Sequence, residues 1–209
     1  MFENGRVVSG QTVVLPNTNL LPVTSQTTDY SVAGRTSKDD GYEQQGQARS
    51  FTSLTTGQYA GTTNITVNSV TDTKSNNCVQ DESTGLMWAA TLSSTVGPFS
   101  DGRLYWDDTL GSDEDIFAYC DAANAANFAG YNDWRLPSIT ELAQLCDFEA
   151  GQPPSAYFTD WASKHSAYSS TTSYLSSGQA LVFSAWGSSF GVTGLTKTSG
   201  AQYALLVRG

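Results

Sequence analysis

The stretch "YNDWRLPSITEL", residues 131–142, sets an acid, a tryptophan, an arginine, a proline and a second acid in one short window. Such a mixture belongs either to an active site or to a rigid corner. Pro137 fixes its own φ and biases Leu136 toward an extended backbone, so the chain should reach Pro137 as a strand or a tight corner. Ser138 is followed three residues later by Glu141, the spacing of a capping box in which hydroxyl and carboxylate each satisfy an N–H at a helix start. Ile139, Leu142, Leu145 and Cys146 then recur at helical spacing and give that short helix one apolar face. Glu141 therefore has a structural task. Arg135 with Asp133 is read as a corner-fixing ion pair, because a guanidinium beside a carboxylate is far more often architectural than catalytic.

Working outward, "LYWDDTLGSDEDIFAYCDAANAANFAGY" predicts a helix over about 113–128. Ser112 would cap it, Asp113, Glu114 and Asp115 would fill its first turn, and Gly130 would close it. Ile116, Tyr119, Cys120, Ala123 and Ala126 line one face. Upstream, "NCVQDESTGLMWAA" reads as a turn from Asp81 to Gly85 leading into an apolar strand of Leu86, Met87 and Trp88. After Pro153 and Pro154, "SAYSSTTSY", "ALVFSAW", "SSFGVTGL" and "YALLVRG" read as short strands and turns. Two helices followed by a β-rich C-terminal half make an α+β arrangement without internal repeat. Residues 1–65 lack sustained periodicity and read as an extended strand-and-loop arm for attachment or assembly, ahead of a domain over 66–209. Trp88, Trp134, Arg135, Pro137, Ser138 and Glu141 form the architectural set, with Trp106 and Leu136 also assigned to packing.

Ten basic against twenty acidic residues give a formal charge of -10 over 209 residues. That balance repels phosphate backbones and anionic headgroups, so neither nucleic acid nor a membrane surface is an expected partner. No apolar run approaches the roughly 18 residues that span a bilayer. The segment "MFENGRVVSGQTVVLP" has no basic start followed by an apolar run, so no Sec signal peptide is expected. Charged residues make up 14%, and with Ser, Thr, Gly and Asn abundant the polarity rests on hydroxyl and amide groups, as in extracellular β-rich and virion proteins. Cys78, Cys120 and Cys146 show no C-x-x-C spacing, and His165 is the sole imidazole. A zinc site is not expected from that pool. One disulfide with an odd thiol and a fully reduced set both remain open, with buried free thiols the default.

These blocks occur together in a familiar order. "CVQDESTGLMW", a helix with "AYC", "AGYNDWRLPSITELAQL", an aromatic-Ser-Ser-Thr segment and a terminal "VRG" together resemble the C-terminal domain family of the collagen-like adhesin Lcl. The resemblance covers about residues 66–209, and "LPVTSQTTDY" with "DDGYEQQG" resembles leader segments that precede this domain. It implies a C-type-lectin-like fold, related to formylglycine-generating enzymes and to variable proteins of diversity-generating retroelements. Tyr168 stands in "YSST" where the family usually has tryptophan, and Leu206 in "LLVRG" where a polar residue or proline is frequent. Both changes lie toward the surface used for ligand contact in lectin-like folds, so ligand identity does not carry over.

Function is weighed on that footing. Catalysis needs a nucleophile with a base, or a metal, and His165 in "SKHSAYSS" is a loop residue without a nucleophile elbow. No cysteine follows Cys146, so the cysteine-pair chemistry of the related formylglycine-generating enzymes does not transfer. Asp107, Asp108 and Asp113 to Asp115 could offer oxygens to Ca²⁺, but they match no EF-hand spacing and the lectin-type calcium motifs are absent. No catalytic residue and no cofactor are expected, with Ca²⁺ the one alternative. Residues 157–186 carry seven aromatics among Ser, Thr and Gly, a mixture suited to rigid contact with adaptable hydrogen bonding. Tyr168, Ser170 and Tyr174 are the expected exposed contacts. Trp186 is a core residue taken singly and a contact residue as part of this set. The sequence thus points to a non-enzymatic, lectin-like binding and display protein: a virion (phage) or cell-surface component or adhesin. It would work as a homo-oligomer, by analogy a trimer, on a glycan or protein receptor. A secreted enzyme or a calcium-dependent carbohydrate-binding protein of the same fold is the alternative.

Overall fold

The computed structural model describes residues 2–3, 6–7, 49–96, 100–106, 115–164, 166–172, 178–186, 189–198 and 201–209, with the backbone alone at 2–3, 6–7, 168–172, 186, 189 and 190. Strands β1 (Phe2–Glu3) and β2 (Arg6–Val7) pair antiparallel with each other. Next come β3 (Phe51–Leu54), β4 (Thr62–Val67), β5 (Val70–Ser75), β6 (Cys78–Asp81), β7 (Met87–Ala89) and β8 (Arg103–Tyr105). Helices α1 (Ile116–Ala125), α2 (Ile139–Leu145) and α3 (Trp161–Lys164) follow. The chain ends in β9 (Ser166–Thr172), β10 (Gln179–Trp186), β11 (Ser189–Thr196), β12 (Ala201–Tyr203) and β13 (Val207–Arg208).

Alternation along β6 and β7 shows how the core divides. Successive side chains in a strand point to opposite faces. Cys78, Met87 and Ala89 accordingly join one buried cluster with Ile65, Tyr119, Phe128 and Trp134, while Val79 and Trp88 join another with Leu142, Leu145, Phe158 and Trp161. Helix α1 thus packs in the first cluster, and α2 and α3 in the second. The apolar run Met87-Trp88-Ala89 is the signature of a strand covered on both sides. The sheet it belongs to runs β13-β7-β6-β3, antiparallel throughout. A second sheet runs β11-β10-β9-β12-β8, with one parallel contact, β12 on β9. β4 and β5 form a hairpin whose turn residues, Asn68 and Ser69, both have positive φ, the left-handed pair that matches the twist of the strands.

The α+β class stands, with three differences from the sequence reading. First, α1 starts at Ile116 and Asp115 is its N-cap, accepting from Ala118 N at 2.7 Å. Asp115 is extended and its backbone bridges Tyr105, the last residue of β8, so it does not lie in the first turn; Ser112, Asp113 and Glu114 lie outside the described residues. The helix also stops at Ala125, since Asn127 turns left-handed at φ 51°, and Phe128–Gly130 is a separate 3-10 turn. Second, a third helix, α3, occupies a single turn, too short for periodicity to betray it. Third, packing begins N-terminal of residue 65. β3 pairs with β6, Arg49 donates to Leu145 O at 3.0 Å, and Ile65 is fully buried. The packed unit therefore includes residues 49–65.

Candidate functional site

The corner that opens the second helix is held from three sides. Asn124 of α1 brackets Trp134, accepting from its N–H at 2.7 Å and donating to its carbonyl at 2.8 Å. The Trp134 indole N–H donates to Phe128 O at 2.8 Å, and Cys120 Sγ to Trp134 O. Arg135 exchanges both backbone bonds with Val207 of β13, each at 2.9 Å. Pro137 is buried. Ser138 and Glu141 make both bonds of the capping box: Glu141 N to Ser138 Oγ at 3.2 Å and Ser138 N to Glu141 Oε2 at 2.7 Å. Trp88 sits 1% exposed in the other cluster, packed with Leu142 and Leu145 of α2.

Arg135 does not pair with Asp133. Its guanidinium forks onto Glu141, Nη1 to Oε2 at 2.9 Å and Nη2 to Oε1 at 2.7 Å. That bond holds the Glu141 carboxyl below its ordinary pKa. Asp133 instead takes Arg208 of β13, Nε to Oδ1 at 2.7 Å and Nη2 to Oδ2 at 3.0 Å, and the Arg208 guanidinium lies 3.7 Å over the Tyr131 ring. Tyr131 OH meets Tyr59 OH at 2.8 Å. The corner therefore carries two clasps, one closing α2 and one tying down the C-terminal strand. Local spacing cannot reveal the swap, because Arg208 arrives from 75 residues away.

A second polar centre anchors the loop after β7. Lys74, 3% exposed, donates to Thr91 O, Thr91 Oγ1 and Leu92 O, and burial pulls its pKa down to about 8. Lys164 of α3 donates to Ser93 O at 2.7 Å and to Asp160 Oδ2 at 2.9 Å. Asp160 Oδ2 accepts from Leu92 N, and Asp72 accepts from Ser94 N and from Tyr119 OH. Two ammoniums on the carbonyls and two carboxylates on the amides fix residues 91–94 in place. Gly102, at φ +89°, comes so close to Ser93 and Ser94 that a Cβ would lie 2.5 Å from their backbone. Sequence reading missed this network; the polar side chains of Asp72 and Lys74 on alternate residues of β5, both buried, are its only local trace.

Between α1 and the corner lies a hollow of about 300 Å³, lined by Phe117, Cys120, Asp121, Arg135, Leu136 and Ser138. Phe117, Cys120 and Asp121 stand at i, i+3 and i+4 on one side of α1. Phe117 meets Trp106 edge-on, with centroids 4.8 Å apart, and Lys197 Nζ lies 4.1 Å over the Trp106 ring. Trp106, assigned to packing from sequence, is only half-buried here.

Tyr168 and Ser170 fall in β9 and Trp186 ends β10, but their side chains lie outside the described residues. Tyr174 and His165 lie outside them entirely, as do Asp107 and Asp108. Cys78, Cys120 and Cys146 are buried free thiols, and burial pushes them up to about 12, about 11 and about 12 respectively. Among the described residues no cluster of His, Cys, Asp and Glu could hold a metal ion, and no helix is long and apolar enough to cross a membrane.

Residues 77–208, more than half of the chain, match the family described as the Lcl C-terminal domain. The match spans β6 to β13 and takes in the corner, both clasps on Arg135 and Arg208, and the hollow. No curated protein and no solved structure matches the chain.

Proposed function

The chain belongs to the Lcl C-terminal domain family, and on that premise we propose that it is a non-enzymatic binding and display protein with a C-type-lectin-like fold. It serves as an adhesin or as a component of a virion or cell surface, and contacts a glycan or protein receptor. It works as a homo-oligomer, with a trimer as the form suggested by collagen-like adhesins, and its N-terminal arm supplies attachment. It needs no cofactor and engages neither nucleic acid nor the membrane interior.

One observation carries the reading. Every charged side chain of residues 131–142 is spent on shape: Arg135 and Glu141 brace the start of α2, and Asp133 with Arg208 fastens a strand. The buried charges elsewhere among the described residues, Lys74, Asp72 and Asp81, hold backbone. Hydroxyls, amides and aromatic faces toward solvent, among scattered exposed carboxylates such as Glu82 and Asp121, suit contact more than proton transfer. An array of glycans and cell-surface proteins probed with the full chain tests this. Selective retention on a small set of spots is expected, and a uniformly blank array contradicts it.

A further inference from the structure

Phe117 is where the fold leaves something unspent. Among the described residues, Val70, Phe117 and Val192 are the large hydrophobic side chains left well exposed, Phe117 at 40%. Phe117 is no loose surface residue: its ring is set against Trp106, which is pinned in turn under Lys197. An aromatic ring held by its neighbours therefore lines the hollow. Leu136 and Cys120, both nearly buried, also line it, with Asp121 one turn along α1 from Phe117 and Arg135 and Ser138 from the corner.

We infer that this hollow binds a neutral pyranose, a deepening that rests on the binding reading above. A volume of about 300 Å³ falls at the small end of ligand sites and suits one sugar ring with its substituents. The C–H face of the ring lies on Phe117, burying apolar area that the free protein exposes. Asp121, acceptor-only when ionised, accepts hydrogen bonds from adjacent hydroxyls, and Arg135 and Ser138 line the same hollow. Charge sets the class of sugar. Arg135 is already neutralised by its fork onto Glu141, Asp121 adds a negative charge, and the whole chain stands at -10, so uronates and sulfated sugars are repelled. The Trp106 face is occupied by Lys197, which leaves no second ring for a cage around a cationic ligand. No metal is required, because protein groups alone meet the hydroxyls.

The test is amide chemical-shift mapping of the full chain, without calcium, titrated with methyl glucoside, galactoside and mannoside, and with glucuronate and glucosamine as charged arms. At least one neutral glycoside should shift residues 117–121 and 135–138 with an affinity of ~1 mM. Asp121→Asn and Phe117→Ala should each weaken it about tenfold, and Asp121→Asn should keep the wild-type melting temperature. Asp121→Asn alone suffices should the Phe117 variant lose its fold, since Asp121 is exposed. Three results overturn the site: no shift with any neutral glycoside, tighter binding of glucuronate or glucosamine, or unchanged affinity in the variants. Shifts confined to β9–β11 also overturn it, yet leave the receptor-binding reading intact, and that reading falls only with a blank array.

Discussion

Glu141 serves two masters at once, and its replacement should separate them. It accepts from the Ser138 N–H and from the Arg135 fork. Glu141→Ala should destabilise the protein by about 1–2 kcal/mol, the loss of a cap together with an ion pair. Arg135→Ala should cost only about 1 kcal/mol, because Arg135 is 42% exposed and Glu141 keeps its bond to Ser138 without it. Chemical denaturation at neutral pH measures both, and equal losses would mean that the ion pair outweighs the cap. The pH dependence has a fixed sign. The folded Glu141 carboxyl titrates below its unfolded value, so its contribution is present above about pH 4.3 and is lost as pH falls through the folded value. Glu141→Gln should flatten the acid limb of the stability curve. The three buried thiols, all raised above the ordinary range, should resist a disulfide reagent at neutral pH until denaturant is added; reaction with the folded chain would place a thiol at the surface. The capping box was legible because it is a spacing of three. The partner of Arg135 was not, because the choice between two nearby carboxylates is made by a third residue, Arg208, whose position only the fold sets.

At the scale of elements, short strands with turn residues between them could be read: β9, β10, β11 and β13 fall on the four segments that the sequence marked, while β12 lies almost wholly ahead of the last of them. The limits of α1 could not. Asp115 is a good first-turn acid and an equally good N-cap, and its bridge to Tyr105 decides between them. The hollow had a sequence trace that went unread: Phe117 stands off the Ile116, Tyr119, Cys120 and Ala123 face of an amphipathic helix, with Asp121 four residues on. Residues 91–94 supply the prediction proper to this scale. They are tied to α3 and to the β4–β5 hairpin by Lys74, Asp72, Lys164 and Asp160. Lys74→Met should leave the Thr91 carbonyl unpaired and cost about 2–3 kcal/mol. Hydrogen exchange at Leu92 and Ser94 should speed up more than at α1. Uniform acceleration would show that the lysine supports the whole core rather than this loop.

For the molecule as a whole, the distribution of charge sets the expectations. Acidic groups outnumber basic ones two to one, and the ones that meet partners in the fold fasten strands, helices and a loop. Residues 49–65 belong to the packed unit, so a chain lacking residues 1–48 should keep its melting temperature and, on the proposed role of the arm, lose assembly on particles or surfaces. Assembly by the shortened chain would remove the arm from the account. The central claim is contact without chemistry, and the most direct measurement is mass-spectrometric recovery of whatever the full chain retains from a receptor array. The account predicts that the retained glycan or protein is recovered chemically unchanged, at any incubation time and with chelator present. Progressive conversion of the retained material, abolished by replacing one side chain, would contradict it.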